Sequence, residues 1–195
     1  MTLTRRWKVR ALFGPAAWRG LLLAWCLVAV AGARGQGADL LELDVRRTES
    51  GLVLDYAVRL QLPRAVDEAL QRGVPIYFEA QATTYRPRWY WRDERVGRAT
   101  RAWRLSYQPL TSGWRVSQGG LHQTYATLAE ALSAISRGTG WPIADGARVE
   151  PDEAYYTDFS YRLDTSQLPR PMQIGIGSLA DWTLQVERTV RLDPP

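Results

Sequence analysis

Ten residues carry most of the reactive and adhesive chemistry of this chain. From Arg86 to Arg95 the sequence reads Arg-Pro-Arg-Trp-Tyr-Trp-Arg-Asp-Glu-Arg, three large aromatics among four arginines. Tryptophan, tyrosine and arginine dominate desolvated protein contacts, because they combine large apolar area with a polar handle. The segment therefore predicts partner binding, with Arg86, Arg88, Tyr90, Arg92, Asp93 and Arg95 as the candidate contact residues. It has no catalytic signature.

Other reactive side chains are sparse. His122 is the single histidine, and the single cysteine, Cys26, lies near the N-terminus. Zinc, haem and copper sites of the usual kind therefore lack ligands, and neither a metal nor a cofactor is expected. A hydrolytic triad would have to use His122, yet no Gly-x-Ser-x-Gly elbow accompanies it. His122 is expected to be structural or solvent-exposed. Gly175-Ile176-Gly177-Ser178-Leu179-Ala180 matches a dinucleotide fingerprint by letter. That fingerprint must join a strand to a helix, with an acid about 20 residues on. Here a period-two strand follows and only 15 residues remain after Ala180, so a Gly-rich strand or bulge is expected instead. Asp145, Glu150, Asp152, Glu153 and Asp158 cluster without the alternate spacing of a calcium loop. They read as a solvated acidic loop. A carboxylate pair working on glycans is the catalytic alternative.

The elements that must position these residues are mostly strands. Leu41, Leu43 and Val45 alternate with Glu42, Asp44 and Arg46; after Glu49-Ser50-Gly51, apolar residues recur at period two from Leu52 to Leu62. This pattern predicts a hairpin. Pro63 and Gly73 bracket a short helix containing Val66, Ala69 and Leu70. Strand character resumes at Val74 and is expected to run to Trp91, turn at Asp93-Glu94, return to Tyr107, and turn again at Thr111-Ser112-Gly113 into Trp114–Ser117. Residues 74–118 thus read as a three-strand meander. Thr127-Leu128-Ala129-Glu130 is a capping box opening a second short helix. Residues 139–151 read as loop, Tyr155–Leu163 as a strand, and Trp182–Leu192 as the last strand. Pro169 and Pro171 keep the intervening edge out of a central ladder. The fold expected is all-β, a two-layer antiparallel β-sandwich, loosely Ig-like, with two short helices on connections. A mixed α+β sheet is the alternative. Trp89 and Trp91 fall on one face of their expected strand. The preferred reading places both in the core, covered by the aliphatic stems of the arginines.

The N-terminus bears on location. Arg5, Arg6, Lys8, Arg10 and Arg19 precede an apolar stretch, and Ala31-Gly32-Ala33 offers a cleavage site. This pattern predicts a secretory signal peptide over residues 1–33 and a single domain over 34–195. Thr4-Arg5-Arg6 hints at the twin-arginine route, a weak signal because paired arginines are common in any positive start, and the choice between it and the general route stays open. The 14 residues between Arg19 and Arg34 are short for a bilayer span; an uncleaved anchor in the inner membrane is the alternative. Cys26 follows Trp25, not the small residue that usually precedes a lipid-modified cysteine, and would be discarded with the signal.

Cleavage also changes the charge. Removing those five bases from 25 leaves 20 against 20 acids, formally neutral. A nucleic-acid partner would need a basic excess and is not expected. Neutrality conceals a division: residues 81–120 hold eight arginines against Asp93 and Glu94, whereas residues 144–165 hold six acids against Arg148 and Arg162. Pairing of the two segments across neighbouring strands is the preferred reading, and an outward basic surface the competing one.

Arg88-Trp89-Tyr90-Trp91, Leu105-Ser106-Tyr107-Gln108-Pro109-Leu110, Thr127–Leu132, and Leu163–Gln173 followed by Asp181-Trp182 together resemble the domain-of-unknown-function 4390 proteins. The resemblance spans nearly all of the chain after the signal. It implies an exported bacterial single-domain protein and supplies no catalytic residues. It further implies a genomic neighbourhood containing a membrane sensor kinase, and so a protein partner in the cell envelope. The combined expectation is a periplasmic, non-catalytic binding module, linked to envelope sensing, with no stable membrane span after cleavage.

Overall fold

The computed structural model describes residues 37–168 and 182–194. The expected signal peptide and the glycine-rich segment at 175–180 lie outside the described residues. Gly35–Pro195 forms a compact unit by itself.

The first hairpin is β1 (Ala38–Thr48) and β2 (Gly51–Leu60), paired antiparallel. Gly51 closes its turn at φ 129°, and a Cβ there would stand 2.1 Å from the Ala144 carbonyl oxygen. Only glycine meets both demands. Helix α1 (Arg64–Gln71) buries Val66, Ala69 and Leu70. Strands β3 (Ile76–Arg86), β4 (Glu94–Gln108), β5 (Gly113–Gln118) and β6 (Leu121–Tyr125) then form an antiparallel meander. Helix α2 (Leu128–Ile135) starts on the capping box of Thr127 and Glu130 and buries Ala131 and Ile135. Strands β7 (Arg137–Asp145), β8 (Tyr155–Leu163) and β9 (Gln185–Leu192) complete the described elements.

They assemble into two antiparallel sheets, one ordered β1-β2-β7 and the other β6-β5-β4-β3-β8-β9. The protein is thus an all-β sandwich with two short helices on connections. Period-two burial builds the core between the layers. Leu52, Leu54, Tyr56 and Val58 of β2 and Trp141 and Ile143 of β7 meet Phe78 and Ala80 of β3, Trp103 and Leu105 of β4, and Phe159 and Tyr161 of β8. Aromatic rings fill the middle: Tyr56 lies 5.1 Å from Phe159 and 6.0 Å from Trp141, and Trp103 6.0 Å from Tyr161, centroid to centroid. The layers approach most closely where β4 passes β7. There a Cβ on Gly97 would sit 2.2 Å from the Ile143 carbonyl oxygen.

Four expectations are corrected. Residues 137–145 form β7, not loop. Gly138, Gly140 and Pro142 read as punctuation, but irregularities in the β2–β7 register absorb the extra residues, and an edge strand tolerates proline. His122 belongs to β6, a strand absent from the sequence reading, and its Nδ1 is 2.7 Å from Ser117 Oγ across the β5–β6 ladder. The last strand begins at Gln185, with Trp182 and Leu184 buried just before it. Finally, β3 ends at Arg86 and not at Trp91. Pro87 has no N–H to continue the ladder, and the chain leaves the sheet there.

The last correction moves the tryptophans. Trp89 is 95% exposed and Trp91 74% exposed, with Tyr90 at 66%. The core expected to hold the first two is filled by Trp103, Trp141 and Trp182 instead.

Candidate functional site

The β3–β4 turn, residues 87–93, is exposed along its length except at Arg88, which is half-buried. Its base is locked by charge. Arg86 and Glu94 face each other as the last partners of the β3–β4 register. The Arg86 guanidinium donates to Glu94 at 2.6 Å and to Glu150 at 2.5 Å, and Arg88 donates to the same Glu94 carboxylate. Two guanidiniums on one carboxylate hold Glu94 below its ordinary value, Arg86 contributing most. The side chain of Arg86 is only 20% exposed; it serves as a bracket and not as an outward contact.

Asp93 makes the second lock. Its Oδ2 accepts from the Tyr156 hydroxyl at 2.6 Å, and its Oδ1 accepts from the Arg88 backbone N–H at 3.1 Å. The phenol bond, with the backbone N–H behind it, holds Asp93 below the usual carboxylate range. The same bond pushes the Tyr156 phenol up to about 12, because ionising it would place a second negative charge beside Asp93. Tyr156 is fixed in turn by stacking on Tyr85, centroids 5.2 Å apart at 21°. The basic and acidic segments of the sequence therefore meet here: Arg86 bonds Glu150, and β3 pairs β8 along its length.

The carboxylates of Asp93 and Glu94 are thus both tied into the base of the turn, Asp93 while itself exposed. What faces outward is different. Trp89 and Tyr90 pack edge to face at 5.1 Å and 72° while both stay exposed. Trp91, Arg92 and Arg95 are exposed too. Neither Arg92 nor Arg95 enters an ion pair among the described residues. Of the six residues singled out from sequence, Arg86, Arg88 and Asp93 form the bracket, and Tyr90, Arg92 and Arg95 lie on the free surface. The sequence reading missed Trp89 and Trp91 as surface residues; Pro87 directly after Arg86 was the available signal. It also missed Tyr156, 63 positions from Asp93, for which no local signal existed.

Beside the bracket runs a cleft of about 570 Å³, lined by Pro87, Asp93, Tyr156, Asp158, Thr189 and Arg191, among others. Two of its three carboxylates are engaged, Asp93 as above and Asp158 as acceptor from Thr189 Oγ1 at 2.6 Å; the third is Asp193. A glycosidase acid needs a raised pKa, and Asp93 is shifted the other way. Among the described residues no group of three His, Cys, Asp or Glu side chains is arranged to hold a metal. No described helix is long and apolar enough to cross a membrane.

An all-β sandwich with a bracketed aromatic turn defines the class of this protein. More particularly, residues 35–192 match the family described as Domain of unknown function (DUF4390), and the chain belongs to that family. No curated protein and no solved structure matches the chain.

Proposed function

We propose that this protein is an interaction module of the bacterial cell envelope, exported by its N-terminal signal, that docks to another envelope component through the tip of the β3–β4 turn. One observation carries this reading: three consecutive aromatics are held almost fully exposed on a turn whose base is rigidly bracketed. Exposing two tryptophans and a tyrosine to water is unfavourable by the apolar area left uncovered. A contiguous aromatic patch kept in that state is a contact surface awaiting an occupant. The bracket supports the same conclusion. A turn ordered before binding loses little conformational entropy on docking, so more of the contact energy appears as affinity.

The outward arginines extend the surface. Arg92 and Arg95 add cationic and planar contacts to the aromatic ones, whereas Arg86 and Arg88 act by shaping the turn. Replacing Trp89 and Trp91 together with serine is expected to abolish docking to cell envelopes while leaving the circular dichroism spectrum like wild type and lowering the unfolding free energy by no more than about 2 kcal/mol. Undiminished recovery of that double variant with the envelope fraction would sink the assignment.

A further inference from the structure

We infer that the occupant of the aromatic tip is an anionic phospholipid surface, an inference that rests on the docking reading above and names its target. Three features point there. The first is charge. Glu94 is held by Arg86 and Arg88, and Asp93, itself exposed, accepts from Tyr156. Arg92 and Arg95 remain exposed and unpaired among the described residues. With four arginines against two acids over residues 86–95, the turn and its base are net positive on a chain that is neutral after its signal is removed. The second is shape. The aromatics occupy adjacent positions of an exposed turn. A protein pocket accepts side chains from a limited set of directions; the bilayer interface accepts indole and phenol rings in many orientations. The third is side-chain chemistry. Tryptophan and tyrosine settle at the boundary of headgroups and acyl chains, with ring bodies apolar and N–H or O–H edges wet. Arginines directly beside them lie level with the phosphates, the arrangement of peripheral membrane anchors.

The cleft beside the bracket is a weaker candidate for this surface. Its walls carry Asp93, Asp158 and Asp193 against Arg191 alone, a net negative lining that disfavours anionic headgroups.

The test uses the compact unit, residues 35–195, so that the apolar N-terminal stretch cannot bind lipid itself. Sedimentation is compared for vesicles of phosphatidylglycerol mixed with phosphatidylethanolamine and for vesicles of phosphatidylcholine alone. Binding is expected to the anionic vesicles, with a blue shift of tryptophan emission, and to weaken as salt is raised. Arg92→Ala with Arg95→Ala is expected to weaken it on the order of 30-fold, at about a fivefold loss per cation removed from an anionic surface. Trp89→Ser with Trp91→Ser is expected to abolish it. Equal recovery on both vesicle types, or an arginine double variant that binds like wild type, overturns the lipid assignment. If vesicles are ignored while a photo-crosslinker at the tip captures one protein, the occupant is that protein and the docking reading survives. If neither vesicle nor adduct is found, both readings fall together. A circular dichroism spectrum like wild type in every variant separates these outcomes from loss of fold.

Discussion

The exposure of Trp89 and the burial of Trp103 make opposite demands on the same substitution. A tryptophan offers up to about 250 Å² for burial. Trp89 is 95% exposed, so roughly 12 Å² is covered, and at about 25 cal/mol per Å² its truncation forfeits about 0.3 kcal/mol. Trp103 is 4% exposed and lies against Tyr161 at 6.0 Å. Replacing it with alanine removes nearly the whole area and leaves a cavity between the sheets, at a cost of roughly 3–5 kcal/mol. Trp91, 74% exposed, falls between, at about 1.6 kcal/mol by the same area argument. Urea unfolding followed by circular dichroism measures all three in the compact unit. The expected order is Trp103→Ala far below Trp91→Ala, with Trp89→Ala close to wild type. A loss above about 2 kcal/mol for Trp89→Ala would mean that the turn folds back on the sandwich. The exposed-tip reasoning would then be refuted.

Three further outcomes follow from the same structure. Among the described residues the Tyr56 hydroxyl is buried without a partner in hydrogen-bond geometry, and burial pushes its phenol up to about 12 against the pull of the nearby Arg101 guanidinium. Tyr56→Phe removes an unsatisfied group while keeping the ring contacts, and should raise stability by about 1 kcal/mol and the melting temperature by roughly 2–4 °C; a lower melting temperature contradicts this. The raised phenols of Tyr56 and Tyr156 favour the neutral form in the folded state, so their contribution is complete below the ordinary value of 10.0 and is lost as pH rises through about 12. Urea midpoints should fall across that alkaline window, and fall less in Tyr56→Phe; a midpoint flat from 10.0 to 12 is inconsistent with the shifts. Asp93 and Glu94 run the opposite way: both are depressed below ordinary values of 3.8 and 4.5, so they order the turn above those values and release it as pH falls through the lowered ones. Backbone order parameters for residues 87–93 should drop between about pH 7 and about pH 3, and unchanged values would show that the bracket does not order the turn.

Much of the sandwich was legible because burial and period coincide. β8 alternates strictly and β2 from Leu52 to Val58, while a register shift between Leu40 and Glu42 breaks the period in β1 and leaves Leu41 exposed; the capping box at Thr127 and Glu130 marks α2 with its own hydrogen bonds. β7 was not legible, since its glycines and proline speak for loop and only pairing to β2 makes it a strand. β6 is exposed along most of its length, so burial left no alternating pattern to read. The candidate site was half legible. Composition located the turn, but Trp89-Tyr90-Trp91 has the same letters whether the strand continues or stops. The decision rests on Pro87 and on tertiary partners, Glu150 and Tyr156, that no local window contains.

The central claim is that the tip, and not another exposed apolar residue, meets the occupant. A photo-crosslinking residue placed at Tyr90 and, separately, at Leu110 compares them directly in living cells. Leu110 is fully exposed and follows the far end of β4, so it controls for exposure alone. Adducts, whether lipid or protein, are expected from position 90 and not from position 110. Adducts from 110 with none from 90 would contradict the account.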